Sequence, residues 1–147
     1  MPEELVTDPN IRAEIEALVT EHAWMQDNHQ THRLAELYTE GGRYLGVGPD
    51  LVGRAAITAY GARRAGMTQR RARHVVSNLR LVADGPKRIR GGCMVTLFRS
   101  DGEALAPADP IAVADAQDVY ALCEDGRWRL EERRIVLAFE SAAHKAG

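Results

Sequence analysis

Near residue 70 the spacing of apolar residues changes from three and four to two, and that change leaves few folds open to the chain. Upstream, Ile11, Ile15, Leu18, Val19, His22 and Met25 recur at helical spacing, with Asp8 or Asn10 available as a cap, which predicts a helix over about 10–27. A polar stretch at 28–31 breaks it. Leu34, Ala35, Leu37 and Tyr38 predict a short second helix that stops at Gly41-Gly42, and a strand follows at 43–47. After a turn at Gly48-Pro49-Asp50, a third helix is predicted over 53–66, carrying Ala56, Ile57, Tyr60 and Ala65. Downstream, alternation predicts strands at 72–83, 88–99, 111–123 and 127–138, separated by Asp84-Gly85-Pro86, residues 100–110 and Glu124-Asp125-Gly126. Helices followed by long strands with tight turns imply an α+β domain, in which a curved antiparallel sheet wraps three N-terminal helices with its apolar face inward. The 100–110 loop is long for a hairpin and is the candidate for a mobile lid or an oligomer contact. Residues 1–8 and 141–147 are expected to be loose ends.

At 147 residues the chain is expected to form one domain, with a core over about 10–139 and no room for a separate cofactor domain. A net charge of −2 argues against a global electrostatic footprint for nucleic acid or an anionic membrane. No apolar run approaches membrane-spanning length, and the acidic start Met1-Pro2-Glu3-Glu4 lacks the basic and apolar regions of a signal peptide. A soluble cytoplasmic protein is therefore expected. Cys93 and Cys123, both in predicted strands, read as reduced core residues. His29 and His32 lie in the polar break without a third ligand, so no metal is expected, and Gly46, Gly48 and Gly53 lack the spacing of a phosphate-binding loop. Arg63, Arg64, Arg70, Arg71 and Arg73 make a basic stretch without the interleaved aromatics of single-strand binders, and they read as a solvated face or a subunit contact.

Chemistry enters with the strand at 72–83. Alternation puts His74, Val76, Asn78 and Arg80 on one face and Val75, Ser77, Leu79 and Leu81 on the other. Both faces are mixed, and His and Asn interleaved with Val suggest a cavity lining with a few convergent polar groups. Asp27 stands 47 positions earlier, at the end of the first predicted helix. Helical arithmetic places it with Ala23 and Trp24 on the solvated side, away from the apolar stripe. An acid at a helix C-terminus opposes the dipole, however, so a partner is the better reason for its presence there. A carboxylate aimed at an imidazole is a proton-transfer device, because it orients the ring and stabilises the charged form.

The run Arg73-His74-Val75-Val76-Ser77-Asn78-Leu79-Arg80, the turn Asp84-Gly85 and the closing segment from Gly126-Arg127-Trp128-Arg129-Leu130 to Arg133-Arg134 resemble the nuclear-transport-factor-2-like superfamily, and within it the SnoaL-like branch. The resemblance spans about residues 10–139. It implies a cone-shaped sheet around the three helices. In scytalone dehydratase and hexachlorocyclohexane dehydrochlorinase, members of that superfamily, an Asp late in helix one and a His opening a strand form the catalytic dyad. By resemblance His74 is the base and Asp27 its orienting partner, in an apolar pocket. Dehydratases of this group also polarise a substrate carbonyl with tyrosines, one of them on helix one, where this chain has Trp24 and Met25. Trp24, Tyr38, Tyr44, Tyr60, Asn78 and Arg134 are the candidate substrate contacts, with Arg134 sharing strand parity with Trp128 and Leu130 and Arg129 and Arg133 sharing the other. The implied activity is that of a cofactor-free lyase or isomerase, a dehydratase first, acting on a small apolar or aromatic molecule; separately, a sheet edge or face left exposed suggests a homodimer or homotrimer. The same segments also resemble the β subunits of aromatic-ring-hydroxylating dioxygenases, which would make the chain a binding or scaffold protein and His74 structural.

Overall fold

The computed structural model describes residues 2–102, 104–142 and 144. Two α-helices, α1 (Pro9–Asp27) and α2 (Arg54–Ala65), and a 3-10 helix at Thr31–Leu37 accompany six strands: β1 (Tyr38–Leu45), β2 (Leu51–Val52), β3 (Arg70–Ala83), β4 (Arg88–Asp101), β5 (Ala112–Leu122) and β6 (Trp128–Glu140). The strands form one curved, open sheet in the order β2-β1-β6-β5-β4-β3. β3 to β6 are the expected antiparallel meander, but the sheet is mixed, because β1 runs parallel to β6 and only the two-residue β2 pairs with β1 antiparallel. The chain enters the sheet earlier than expected. Gly41 and Gly42, read as a helix stop, lie inside β1, and the short second helix is a 3-10 helix that ends at Leu37.

The local causes are visible residue by residue. Asp8 caps α1 by accepting from the N–H groups of Asn10 and Ile11 at 2.8 and 3.3 Å, and Pro9 supplies a first-turn residue with no N–H to satisfy. Ile15, Val19, His22 and Met25 form its buried stripe. The helix stops after Asp27 because His29 adopts a left-handed backbone (φ 57°) and Gln30 N–H closes onto the Met25 carbonyl at 2.8 Å. Glu14 ties α1 to the sheet by accepting the Trp128 N–H at 2.7 Å. Gly61 lets α2 lie against the backbone of Thr31, whose hydroxyl donates to the Gly61 carbonyl at 2.7 Å; a Cβ at Gly61 would collide with the Thr31 carbonyl oxygen.

The N-terminal segment is not loose. Val6 N–H donates to the Leu81 carbonyl, Ala83 N–H donates to the Glu4 carbonyl, and Leu5 bridges Val82, so residues 4–6 cover part of the free edge of β3. At the other end Ser141 N–H bonds the Ile111 carbonyl, while residues 143 and 145–147 lie outside the described set. The 100–110 loop is shorter than expected at its start, since β4 runs to Asp101. Arg71 donates to the Ala104 carbonyl at 2.6 Å within it. Cys93 is buried in β4, and Cys123 falls just past the end of β5; both are free thiols.

Two one-residue bulges decide which side chains face the helices. In β3, Ser77 pairs with Met94 and Arg80 with Gly92, so Asn78 and Leu79 together stand opposite Cys93, with Asn78 at φ 58°. Before the bulge Ala72, His74 and Val76 face inward. After it Leu79 and Leu81 do, and Asn78 and Arg80 are exposed. In β6, Val119 pairs with Glu132 and Tyr120 with Leu130, which leaves Glu131 extra; Trp128 and Leu130 face the core, and beyond the bulge Arg133 and Ile135 do. The inward arginine is therefore Arg133, and Arg134 is exposed.

Candidate active site

A cavity of about 410 Å³ opens between the concave face of the sheet and the helices. Ala23 and Gln26 of α1 reach it from above, Tyr60 and Arg64 from α2, and Ala72, His74 and Val76 from β3. Its apolar wall is Val95 and Leu97 of β4 with Ile135 and Leu137 of β6, and the small residues Ala112 and Ala114 of β5 leave the room.

At one wall, His74 and Asp27 meet. The Asp27 carboxylate takes two hydrogen bonds from the same residue: the His74 backbone N–H at 2.9 Å to Oδ2 and the ring Nδ1 at 2.6 Å to Oδ1. The carboxylate can only accept, so Nδ1 carries the hydrogen and Nε2 presents its lone pair. Both side chains are nearly closed to solvent, at 14% and 12% exposure. The expectation that Asp27 is solvated fails because α1 has a second contact beside its apolar stripe: the face bearing Ala23, Gln26 and Asp27 lies against β3 and the cavity.

A polar chain runs from the core to the same cavity. His22 Nδ1 bonds Gln26 Oε1 at 3.2 Å, which fixes the hydrogen on Nδ1, and Nε2 then accepts from the Tyr38 hydroxyl at 3.0 Å. Gln26 Nε2 donates to the Tyr44 hydroxyl at 3.3 Å, leaving the Tyr44 proton free to donate. Burial first, and then the neighbouring Tyr60, push the Tyr44 pKa up, so this phenol stays protonated. Nearby, Arg133 forks onto Asp118 through Nε and Nη2, both at 2.8 Å, and the Tyr120 hydroxyl donates to the same carboxylate at 2.7 Å. Burial works against the Arg133 charge, but the charge of Asp118 and its two hydrogen bonds outweigh it and push the guanidinium pKa well up. Arg133 lines the cavity, and its Nη1 makes no hydrogen bond among the described residues.

Of the residues singled out from the sequence, the structure puts His74, Tyr44 and Tyr60 in the cavity lining and Asp27 against His74, and places four others elsewhere. Tyr38 is fully buried beneath it, as the hydrogen-bond partner of His22. Trp24 is 55% exposed on the outer side of α1. Asn78 is exposed and donates to Met94 Sδ, because the β3 bulge turns it to the opposite face from His74. Arg134 is exposed for the same reason in β6. Arg64 and Arg70, expected at a solvated face, line the cavity together with Arg99. Gln26 and Asp118 were not singled out, and Arg133 entered only as the parity alternative to Arg134. The only signal for Arg133 was the polar pair Glu131-Glu132 interrupting an inward alternation, which marks a bulge once its partner strand is known. Among the described residues no three His, Cys, Asp or Glu side chains gather as metal ligands, and no helix is long and apolar enough to cross a membrane.

His22 makes a pH prediction. Burial, with the positive field of Arg133 acting in the same direction, holds its pKa well below the ordinary 6.5, so the folded ring refuses a proton that the unfolded ring accepts. Its contribution to stability is therefore full above about pH 6.5 and is lost as the pH falls, at up to about 1.4 kcal/mol per pH unit. Urea unfolding of the wild type should show this slope between about pH 6.5 and 5, and His22→Gln should flatten it. An unchanged slope in the variant assigns the effect to another group.

Helices laid in the hollow of an open, curved sheet, with a cavity between them, define the cystatin-like fold of nuclear-transport-factor-2-like proteins. A SnoaL-like domain model matches residues 9–134, and the chain belongs to the SnoaL-like family. Among solved structures it is similar to an NTF2-like protein with a cystatin-like fold from Novosphingobium aromaticivorans, at 24% identity and TM-score 0.73, over 92% of this chain and 86% of that one. It is similar to a candidate scytalone dehydratase from the same organism at 17% identity and TM-score 0.77, covering 90% and 87%. The third is LinA, at 21% identity and TM-score 0.73, covering 90% of each chain. At these identities the likeness shows the fold. No curated protein matches the chain.

Proposed function

We propose that the chain is a lyase or isomerase, and first a dehydratase, that removes a proton from a carbon next to a carbonyl in a small molecule with an apolar or aromatic body. The observation that carries this reading is the 2.6 Å contact of His74 Nδ1 with Asp27 at the wall of a cavity of about 410 Å³. A packed core at that place would have made the pair structural. Similarity to a candidate scytalone dehydratase and to LinA supports the same class.

In this reading His74 Nε2 takes the proton of the carbon acid, and the C–H electron pair moves onto the carbonyl oxygen. Asp27 holds the ring in the required tautomer and stabilises the imidazolium. The enolate oxygen is met by the Tyr44 hydroxyl and the Arg133 guanidinium, two donors that burial has already oriented. Collapse of the enolate forms the C=C bond and breaks the C–O bond to the β-hydroxyl, which leaves as water with the proton held by His74. Every step uses side chains already at the cavity.

The test is turnover of a panel of aromatic β-hydroxy ketones, esters and acids, followed by the absorbance of the conjugated product. His74→Ala should lower the rate by about 10²–10⁴-fold while leaving the fold intact, the range that a positioned general base contributes. Undiminished turnover in His74→Ala sinks the proposal.

A further inference from the structure

We propose that the molecule this cavity accepts carries an oxyanionic group, a carboxylate or a phosphate, seated on Arg64, Arg70 and Arg99. The inference rests on the reading of His74 as base for what happens to the substrate, and on the arginines alone for what is bound.

The three arginines come from α2, β3 and β4 and line the same cavity as His74. Register places them relative to the base. Arg99 pairs with Ala72, and Ala72 and Arg70 precede His74 by two and four residues on the same inward face. At the rise of an extended strand these steps are roughly 6.6 and 13 Å, about the length of an aromatic ring with a short chain. Leu97 stands opposite His74 at the base end of that span, and Val95 lies one step beyond it, opposite Val76.

Their charge is under-compensated. Among the described residues Asp101 is the acid hydrogen-bonded within the cluster, and it is engaged with Arg70 at 2.8 and 3.3 Å. Among the described residues Arg99 makes no hydrogen bond, and the buried Arg64 Nη1 has no hydrogen-bond partner. A guanidinium is charged at any physiological pH, so neither group can escape by losing its proton. Burial first, and then the repulsion of Arg70, lower the pKa of both Arg64 and Arg99, so an anion placed among them would stabilise both charges. A fork of N–H donors pointing into a cavity with an apolar body matches the two oxygens of a carboxylate or the oxygens of a phosphate. On a solvated basic face each guanidinium would be fully exposed, whereas Arg64, Arg70 and Arg99 are partly buried along one cavity.

Titration calorimetry with cinnamate, phenyl phosphate and the neutral isostere cinnamamide at low salt tests this. At least one of the two anions should bind about tenfold or more tightly than the amide, and their order tells carboxylate from phosphate. The preference should collapse to within about twofold in the double variant Arg64→Gln, Arg99→Gln and should persist in His74→Ala. Cinnamamide affinity reports whether the double variant has kept its cavity. In the wild type, the Nε–Hε NMR signals of the cavity arginines should shift with the tighter anion and not with the amide, a readout that needs no variant. Equal affinity for anion and amide, no anion binding up to the solubility limit, or a preference that survives the double substitution overturns the proposal. Loss of turnover in His74→Ala with the anion preference intact separates this site from the dyad: either reading can fail without the other.

Discussion

Asp118→Ala should lower the unfolding free energy by about 3–5 kcal/mol, with a fall in melting temperature of roughly 10 °C, the cost of leaving a buried charge without its partner. Arg133 is 4% exposed at its side chain and Asp118 is 0% exposed, and the carboxylate accepts three hydrogen bonds, two from the guanidinium and one from Tyr120. Removing it strands the guanidinium and the Tyr120 hydroxyl together. The pair is costly to break without being a large source of net stability, because burying both ions already consumed most of their attraction. Asp118→Ala combined with Arg133→Met should therefore recover most of the loss, while Arg133→Met alone, which strands the buried carboxylate, should be destabilising in its own right. Chemical denaturation of the four proteins checks this as a cycle. A loss below about 1 kcal/mol in Asp118→Ala would mean that water from the cavity solvates Arg133.

Asp27→Asn should reduce turnover by roughly 10³–10⁴-fold with little change in stability, because it reverses the hydrogen on His74 rather than removing the ring. The carboxylate now accepts from both the His74 backbone N–H and Nδ1. A carboxamide can satisfy the backbone N–H only with its oxygen, which turns its NH₂ toward Nδ1. Nδ1 must then accept, the hydrogen moves to Nε2, and the nitrogen facing the cavity loses the lone pair it needs. NMR of the imidazole nitrogens should show the tautomer exchange directly. A variant with wild-type turnover, or a ring that keeps its hydrogen on Nδ1, contradicts the assignment.

Much of the fold was legible in the sequence. The apolar period of three and four up to residue 66, the capping Asp8 and the alternation after residue 70 carry local information, and local information suffices for helices, strands and their order. The mixed character of the sheet was not legible. β1 pairs in parallel with β6, nearly 90 positions away, and no short-range pattern specifies that partner. Gly41-Gly42 misled for the same reason: two glycines end an isolated helix, but in a strand beside β6 they are accommodated.

The site divides along the same line. His74 was readable because it precedes the β3 bulge, where alternation still holds, whereas local arithmetic put Asp27 on the solvated side and only the family resemblance paired it with His74. Asn78 and Arg134 were misplaced because each follows or forms an extra residue in its strand, and one extra residue turns every later side chain to the other face. By itself, then, the amino-acid sequence determined most of the elements and their order, and its resemblance to the SnoaL-like branch pointed to His74 and Asp27 as a proposed pair. The tertiary structure alone decided that Arg133 and not Arg134 faces inward, that Tyr44 completes the polar wall, and that Arg64, Arg70 and Arg99 share a cavity. A bulge is defined by the register of two strands, and a cavity by elements far apart in the chain, so neither exists until the sheet has closed over the helices.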